Sequence, residues 1–123
     1  MTWNESTLAR IVSADDLKIS PFRADGETFG TPTWIWSVAV GDALYVRAYN
    51  GRRSRWYRSA IEQGAGRIHA AGEVFDVTFE QAAEDVEALV TLAYEQKYRG
   101  STYLPPMIAA GPVSATVRIR PRA

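Results

Sequence analysis

Cysteine is absent from the 123 residues, which removes disulfides, thiolate metal sites and thiol nucleophiles together. Histidine is nearly absent too. His69 stands alone, so no histidine pair exists to hold a metal and no facial triad can be drawn. Net charge is missing, with 14 Lys and Arg against 14 Asp and Glu, and this argues against a general nucleic-acid coat protein, leaving nucleic-acid binding through local arginines as the weakest reading. No apolar run approaches the ~18 residues that cross a bilayer. The opening MTWNESTLAR also lacks the basic-then-apolar layout of a secretion signal. The expectation is therefore a cytoplasmic protein with no membrane partner, its length suiting one domain over residues 1–123.

Catalytic signatures are missing in the same way. No serine sits in a G-x-S-x-G setting, and the GAG run at Gly64 to Gly66 follows a helix pattern rather than a strand. The carboxylates read as turn, cap and solvated-face residues, so no glycosidase-like pair can be named. Catalytic residues stay unassigned on this reading.

What is present is a concentration of positive charge. Tyr45 to Arg58, YVRAYNGRRSRWYR, holds five arginines, four aromatics and no acid. It carries a turn signal at Asn50-Gly51 and a helix start at Ser54. Guanidinium forks suit anion oxygens, and the free N–H groups after Ser54 add a favourable dipole. Two readings stay open: an anion site, or a solvated basic face paired with the acids of the last helix. Trp56 and Tyr57 are read as core or as walls of a ring-binding cleft.

Around this segment the patterning predicts an α+β domain on a mostly antiparallel sheet. Leu8, Ile11 and Val12 predict a helix over Glu5 to Ser13, and a strand follows over Leu17 to Arg23. Thr33 to Val40 is expected as one strand, central or in an interface because neither face is charged; a dimer would suit it. Gly41-Asp42 signals a tight hairpin into a strand from Ala43 to Tyr49. A helix is expected from Ser54 to about Gln63, stopped by Gly64, then a hairpin around Ala71-Gly72-Glu73. Thr78 with Gln81 has capping-box spacing, which predicts the longest helix from Phe79 onward. Tyr103 to Pro112 reads as an apolar loop, either a pocket cover or a packed connector, before a last strand over Ser114 to Arg120.

The run ALYVRAYNGRRSRWYRSAIEQGAGRIHAAGEVFDVTF resembles, in order and spacing, the small split β-barrels that bind flavins and deazaflavins. The likeness is to the deazaflavin-dependent nitroreductase family in particular. The whole chain, closing with TVRIRP, more closely resembles a family of small uncharacterised split-barrel proteins, a domain of unknown function. The resemblance implies a split β-barrel of about six strands with flanking helices, commonly a homodimer with ligand clefts between subunits. It places the family's phosphate loop on Ala48, Tyr49, Asn50, Gly51, Arg52 and Arg53, and its helix aromatics on Trp56 and Tyr57. Thr33 and Trp34 would approach the ring, while Arg47, Arg52, Arg53 and Arg55 would hold the phosphate. The implied cofactor is a deazaflavin coenzyme or FMN, and the implied activity is an oxidoreductase acting on a small organic molecule. The family's double-glycine loop is here Asn-Gly with arginines. That departure keeps a second reading open: a cofactor-independent binding protein or enzyme on the same barrel, taking an anionic small molecule and without redox activity.

Overall fold

A computed structural model describes residues 2–122 of the chain. Helix α1 (Glu5–Ala14) starts where Asn4 Oδ1 accepts the N–H groups of Ser6 and Thr7. It ends at Asp15, in the left-handed region at φ 50°. Its stripe of Leu8 and Ile11 is buried.

Seven strands make one sheet in which every pair is antiparallel. They are β1 (Lys18–Pro21), β2 (Thr33–Trp34), β3 (Ser37–Val40), β4 (Ala43–Arg47), β5 (Ala65–Ala70), β6 (Glu73–Gln81) and β7 (Thr116–Pro121). The order across the sheet is β2-β1-β5-β6-β7-β4-β3. Its two ends, β2 and β3, are consecutive pieces of one segment. The stretch expected as a single straight strand, Thr33 to Val40, is thus divided and sits at the edges rather than the centre. Its first half pairs with β1, extended by a bond from Ile35 N–H to the Leu17 carbonyl, and its second half pairs with β4. A curled sheet whose ends share one segment forces that segment to bend between them.

Two apolar clusters fill the two faces of this curl. The first gathers Ile19, Leu44, Val46, Ile68, Val77, Val117 and Ile119 with Leu8 and Ile11 of α1 and with Tyr57 and Ala60 of α2 (Arg55–Gln63). The second packs Val38 and Tyr45 beneath Val90 and Tyr94 of α3 (Glu87–Lys97). This explains why neither face of the Ser37–Val40 half carries charge: the first cluster lies on one side and α3 on the other.

The turn chemistry agrees with expectation. Gly41 takes φ 60° in the two-residue hairpin that pairs Val40 with Ala43. Ala71 and Gly72 both take positive φ between β5 and β6, and Gly64 ends α2 at φ 68°. The expected helix from Phe79 does not form there. Thr78 to Gln81 continue β6, with Val77 and Phe79 facing the core and Phe79 paired with Ile119. Period-two burial between two partner strands outweighs the local capping-box signal, and α3 begins only at Glu87. Leu89, expected in its apolar stripe, is exposed. The expected loop after Gly100 holds two short helices, α4 (Leu104–Met107) and α5 (Ala110–Ser114). Among the described residues no helix is long and apolar enough to cross a membrane.

One contact fixes how closely the sheet can curl. Gly66 pairs with Pro21, and a Cβ there would lie 2.6 Å from both Pro21 Cα and the Ser20 carbonyl oxygen. These are backbone atoms and cannot step aside. Gly66→Ala is expected to cost about 2–3 kcal/mol in urea unfolding by overpacking. Gly111→Ala, where a Cβ meets nothing within 4 Å, should change stability by less than about 1 kcal/mol. Equal midpoints for the two variants would show that the β1–β5 approach does not constrain the fold.

Candidate ligand-binding site

The bend between β2 and β3 leaves backbone groups without strand partners, and α3 satisfies them. The Trp36 carbonyl accepts the Tyr94 hydroxyl at 2.8 Å. The Ser37 carbonyl accepts Lys97 Nζ at 2.6 Å. Tyr98 Oη donates to Asp15 Oδ1 at 2.5 Å, and Lys97 Nζ lies 3.3 Å from the same oxygen. The Tyr98 ring lies flat on Trp36, centroids 3.8 Å apart and planes within 5°. An interruption of the strand is thereby converted into a rigid corner.

Beside that corner opens a cavity of about 570 Å³. Thr33, Trp34, Ile35 and Trp36 form one wall; Tyr49, Asn50, Ser54 and Trp56 form another; Tyr103 and Met107 lie on a third side. Arg47 completes the lining. The surroundings are apolar and aromatic, with few polar groups, which is the usual make-up of a small-molecule site. Trp34, Tyr49 and Tyr103 are exposed, Trp34 at 67 %.

Arg47 is the unusual member. It sits on the last position of β4 with no exposed surface, Nε bonded to Thr116 Oγ1 and Nη2 to the Glu87 carbonyl, both at 2.9 Å. Its guanidinium lies 5.4 Å from the centre of the Tyr94 ring. Nη1 is buried with no hydrogen-bond partner. Burial pushes the guanidinium pKa down; Tyr94 and, at longer range, the Glu87 carboxylate push it back up. Among the described residues Arg47 makes no ion pair.

Of the residues the sequence singled out, six meet here: Thr33, Trp34, Arg47, Tyr49, Asn50 and Trp56. The others do not line the cavity. Gly51 is buried at φ 70°, and a Cβ on it would stand 3.3 Å from the Gly111 carbonyl oxygen. Arg52 is tied by Nε to the Ser114 carbonyl at 2.8 Å, so it clamps the loop to α5. Arg53 and Arg55 are exposed. Tyr57 is buried in the first cluster, its hydroxyl donating to Gln81 Oε1, and Gln81 Nε2 donates in turn to the Ser114 carbonyl. The alternative reading, in which these arginines pair with the acids of the last helix, finds no such pair among the described ion pairs. Ser54 stands at the N-cap of α2, but its side chain makes no capping bond, so the first-turn amides lack a capping side chain. His69 lies on β5 between Lys18 and Val74, outside the lining. Ile35 and Trp36 were not read as site residues, because nothing in an alternating strand pattern announces a bend.

Over residues 7–119 the chain matches the model of a family described as an uncharacterised protein conserved in bacteria (DUF2255), and it belongs to that family. No curated protein matches it.

The corner that shapes the cavity also sets a pH limit. Burial raises the pKa of Tyr94, with Arg47 opposing; burial and the bond to Asp15 raise that of Tyr98. Above the ordinary value of 10.0 the unfolded chain loses these protons while the folded chain keeps them, so stability falls as pH rises. Lys97, lowered by burial against Asp15, adds an opposing rise that ends at its ordinary value of 10.5. Denaturant midpoints should therefore decline above pH 10.5. Tyr94→Phe should flatten that decline and cost about 1–2 kcal/mol at neutral pH by orphaning the Trp36 carbonyl. An unchanged alkaline slope in this variant would refute the assignment.

Proposed function

We propose, from the premise of that family membership, that the chain is a cytoplasmic split β-barrel protein binding a flat, anion-bearing small molecule. The first candidate is a flavin-type cofactor, FMN or a deazaflavin coenzyme, serving an oxidoreductase reaction on a small organic substrate. The observation that carries this reading is the meeting of Thr33, Trp34, Tyr49, Asn50 and Trp56 with Arg47 around one cavity. A sheet whose two ends share one bent segment supports the split-barrel relationship to the flavin and deazaflavin binders.

In this reading the ring enters between Trp34 and Trp56. The phosphate tail runs out past Asn50 and Ser54 to the uncapped first turn of α2, where Arg53 and Arg55 are exposed. The cofactor carries the hydride; the protein contributes binding and orientation. A homodimer would cover the exposed aromatics Trp34, Tyr49 and Tyr103 at the mouth.

One observation favours a second reading, cofactor-free binding of an organic anion. Arg52, Arg53 and Arg55 lie outside the lining, so among the described residues Arg47 is the one cation within it.

The test is an absorbance spectrum of freshly purified protein, followed by thermal melting with FMN and a deazaflavin. A ligand at ~100 times its Kd should add about 2.7 kcal/mol of stability. Trp34→Ala combined with Trp56→Ala should abolish that shift while leaving the free protein folded. A colourless protein whose melting neither cofactor moves would rule out the cofactor reading.

A further inference from the structure

A charge sealed from water needs a counter-charge, and the structure supplies no full one to Arg47. Its partners are a threonine hydroxyl and a main-chain carbonyl, both neutral. The Glu87 carboxylate favours the charge but makes no ion pair with it, and Nη1 has no hydrogen-bond partner among the described residues. A guanidinium in this position is far less screened than one at the surface, so it holds a positive potential over whatever occupies the adjoining cavity. The rest of the lining sets the shape of that occupant. Trp34, Trp36 and Trp56 offer broad apolar walls, and Thr33, Asn50 and Ser54 add neutral polar side chains beside the phenols of Tyr49 and Tyr103.

We infer that the cavity selects a flat aromatic ring bearing a single delocalised negative charge, a carboxylate, whose charge Arg47 balances. This rests on the second, cofactor-free reading of the cavity and goes further by naming the ligand class: the sole ligand is an aromatic monocarboxylic acid. A carboxylate matches one guanidinium in charge and in planar geometry. A phosphate group, with its larger charge, would need cations that this lining lacks; the exposed arginines lie beyond it. Because Nη1 is covered, a direct bond requires the wall to shift by one side chain. Met107, unbranched and able to take other rotamers although it is buried in the second cluster, is one lining side chain that could make such a shift.

The decisive comparison keeps shape constant and changes charge. Calorimetric titration of the wild-type protein with 2-naphthoate and with 2-naphthamide should give an affinity ratio of about 10 or more in favour of the acid. Inorganic phosphate should neither bind in the cavity nor displace naphthoate. In Arg47→Met, which replaces the buried charge by an apolar chain of similar length, the ratio should fall to about 1, and the free variant should melt close to the wild type. Equal wild-type affinity for acid and amide would overturn the charge assignment and leave the cavity reading standing. Binding of neither compound would overturn both. The wild-type arm decides the matter even if the Arg47 variant does not fold.

Discussion

A strand that must pair with both ends of the same sheet cannot remain straight, and this constraint organises the molecule. Residues 33–35 complete the hydrogen bonding of β1, and residues 37–40 complete that of β4. Between them the chain turns out of the ladder. Bent backbone without partners is costly when buried, since each unpaired carbonyl there loses about 1–3 kcal/mol. Tyr94, Lys97 and Tyr98 fill that role from the end of α3. The cavity lies where the bend holds the two strand halves apart, so it is a direct product of closing the sheet.

The second fixed point is the loop after β4. In the sequence it is an arginine cluster open to two readings, an anion site or a solvated face, and its backbone is held at several places. Gly51 packs against Gly111, Arg52 bonds the Ser114 carbonyl, and Gln81 reaches the same carbonyl while accepting from Tyr57. This explains how Tyr49, Asn50 and Trp56 can face the cavity while their neighbours Arg52, Arg53 and Arg55 do not. A loop anchored by its glycine and one arginine turns Tyr49 and Asn50 toward the cavity and leaves Arg52 and Arg53 outside it. Positive charge in sequence and positive charge at the site are therefore different quantities here. The single arginine lining the cavity comes from the strand before the loop, and it is buried.

Legibility in the sequence followed the range of the forces involved. Elements set by local chemistry were readable: the Gly41-Asp42 hairpin, the stop at Gly64, the Ala71-Gly72 turn and the stripe of α1. Elements set by distant partners were not. Thr78 and Gln81 have the spacing of a helix start, but β5 and β7 lie on either side of that stretch and hold it extended. Trp34 and Trp36 alternate as if on one face of a strand, although the bend puts Trp34 at an exposed rim and Trp36 against Tyr98. Arg47 could be nominated from its place in the arginine run. Its burial could not, since that depends on Thr116 and Glu87, both more than 35 positions along the chain.

These constraints divide the cavity into a fixed part and a yielding part. Trp36 is clamped by stacking on Tyr98, whose hydroxyl is bonded to Asp15, and by the bond from Tyr94 to its carbonyl. Trp56 stands on a helix packed into the first cluster, and Arg47 is held at two of its nitrogens. Opposite them, Tyr103 is exposed, while Met107, on a helix of four residues, is anchored in the second cluster. Rigid walls lower the ordering cost of binding a flat ring, while a soft cover lets ligands of different outline enter. Selectivity should then reside in the fixed side, through ring stacking and the charge of Arg47. The short helices would govern entry and residence time.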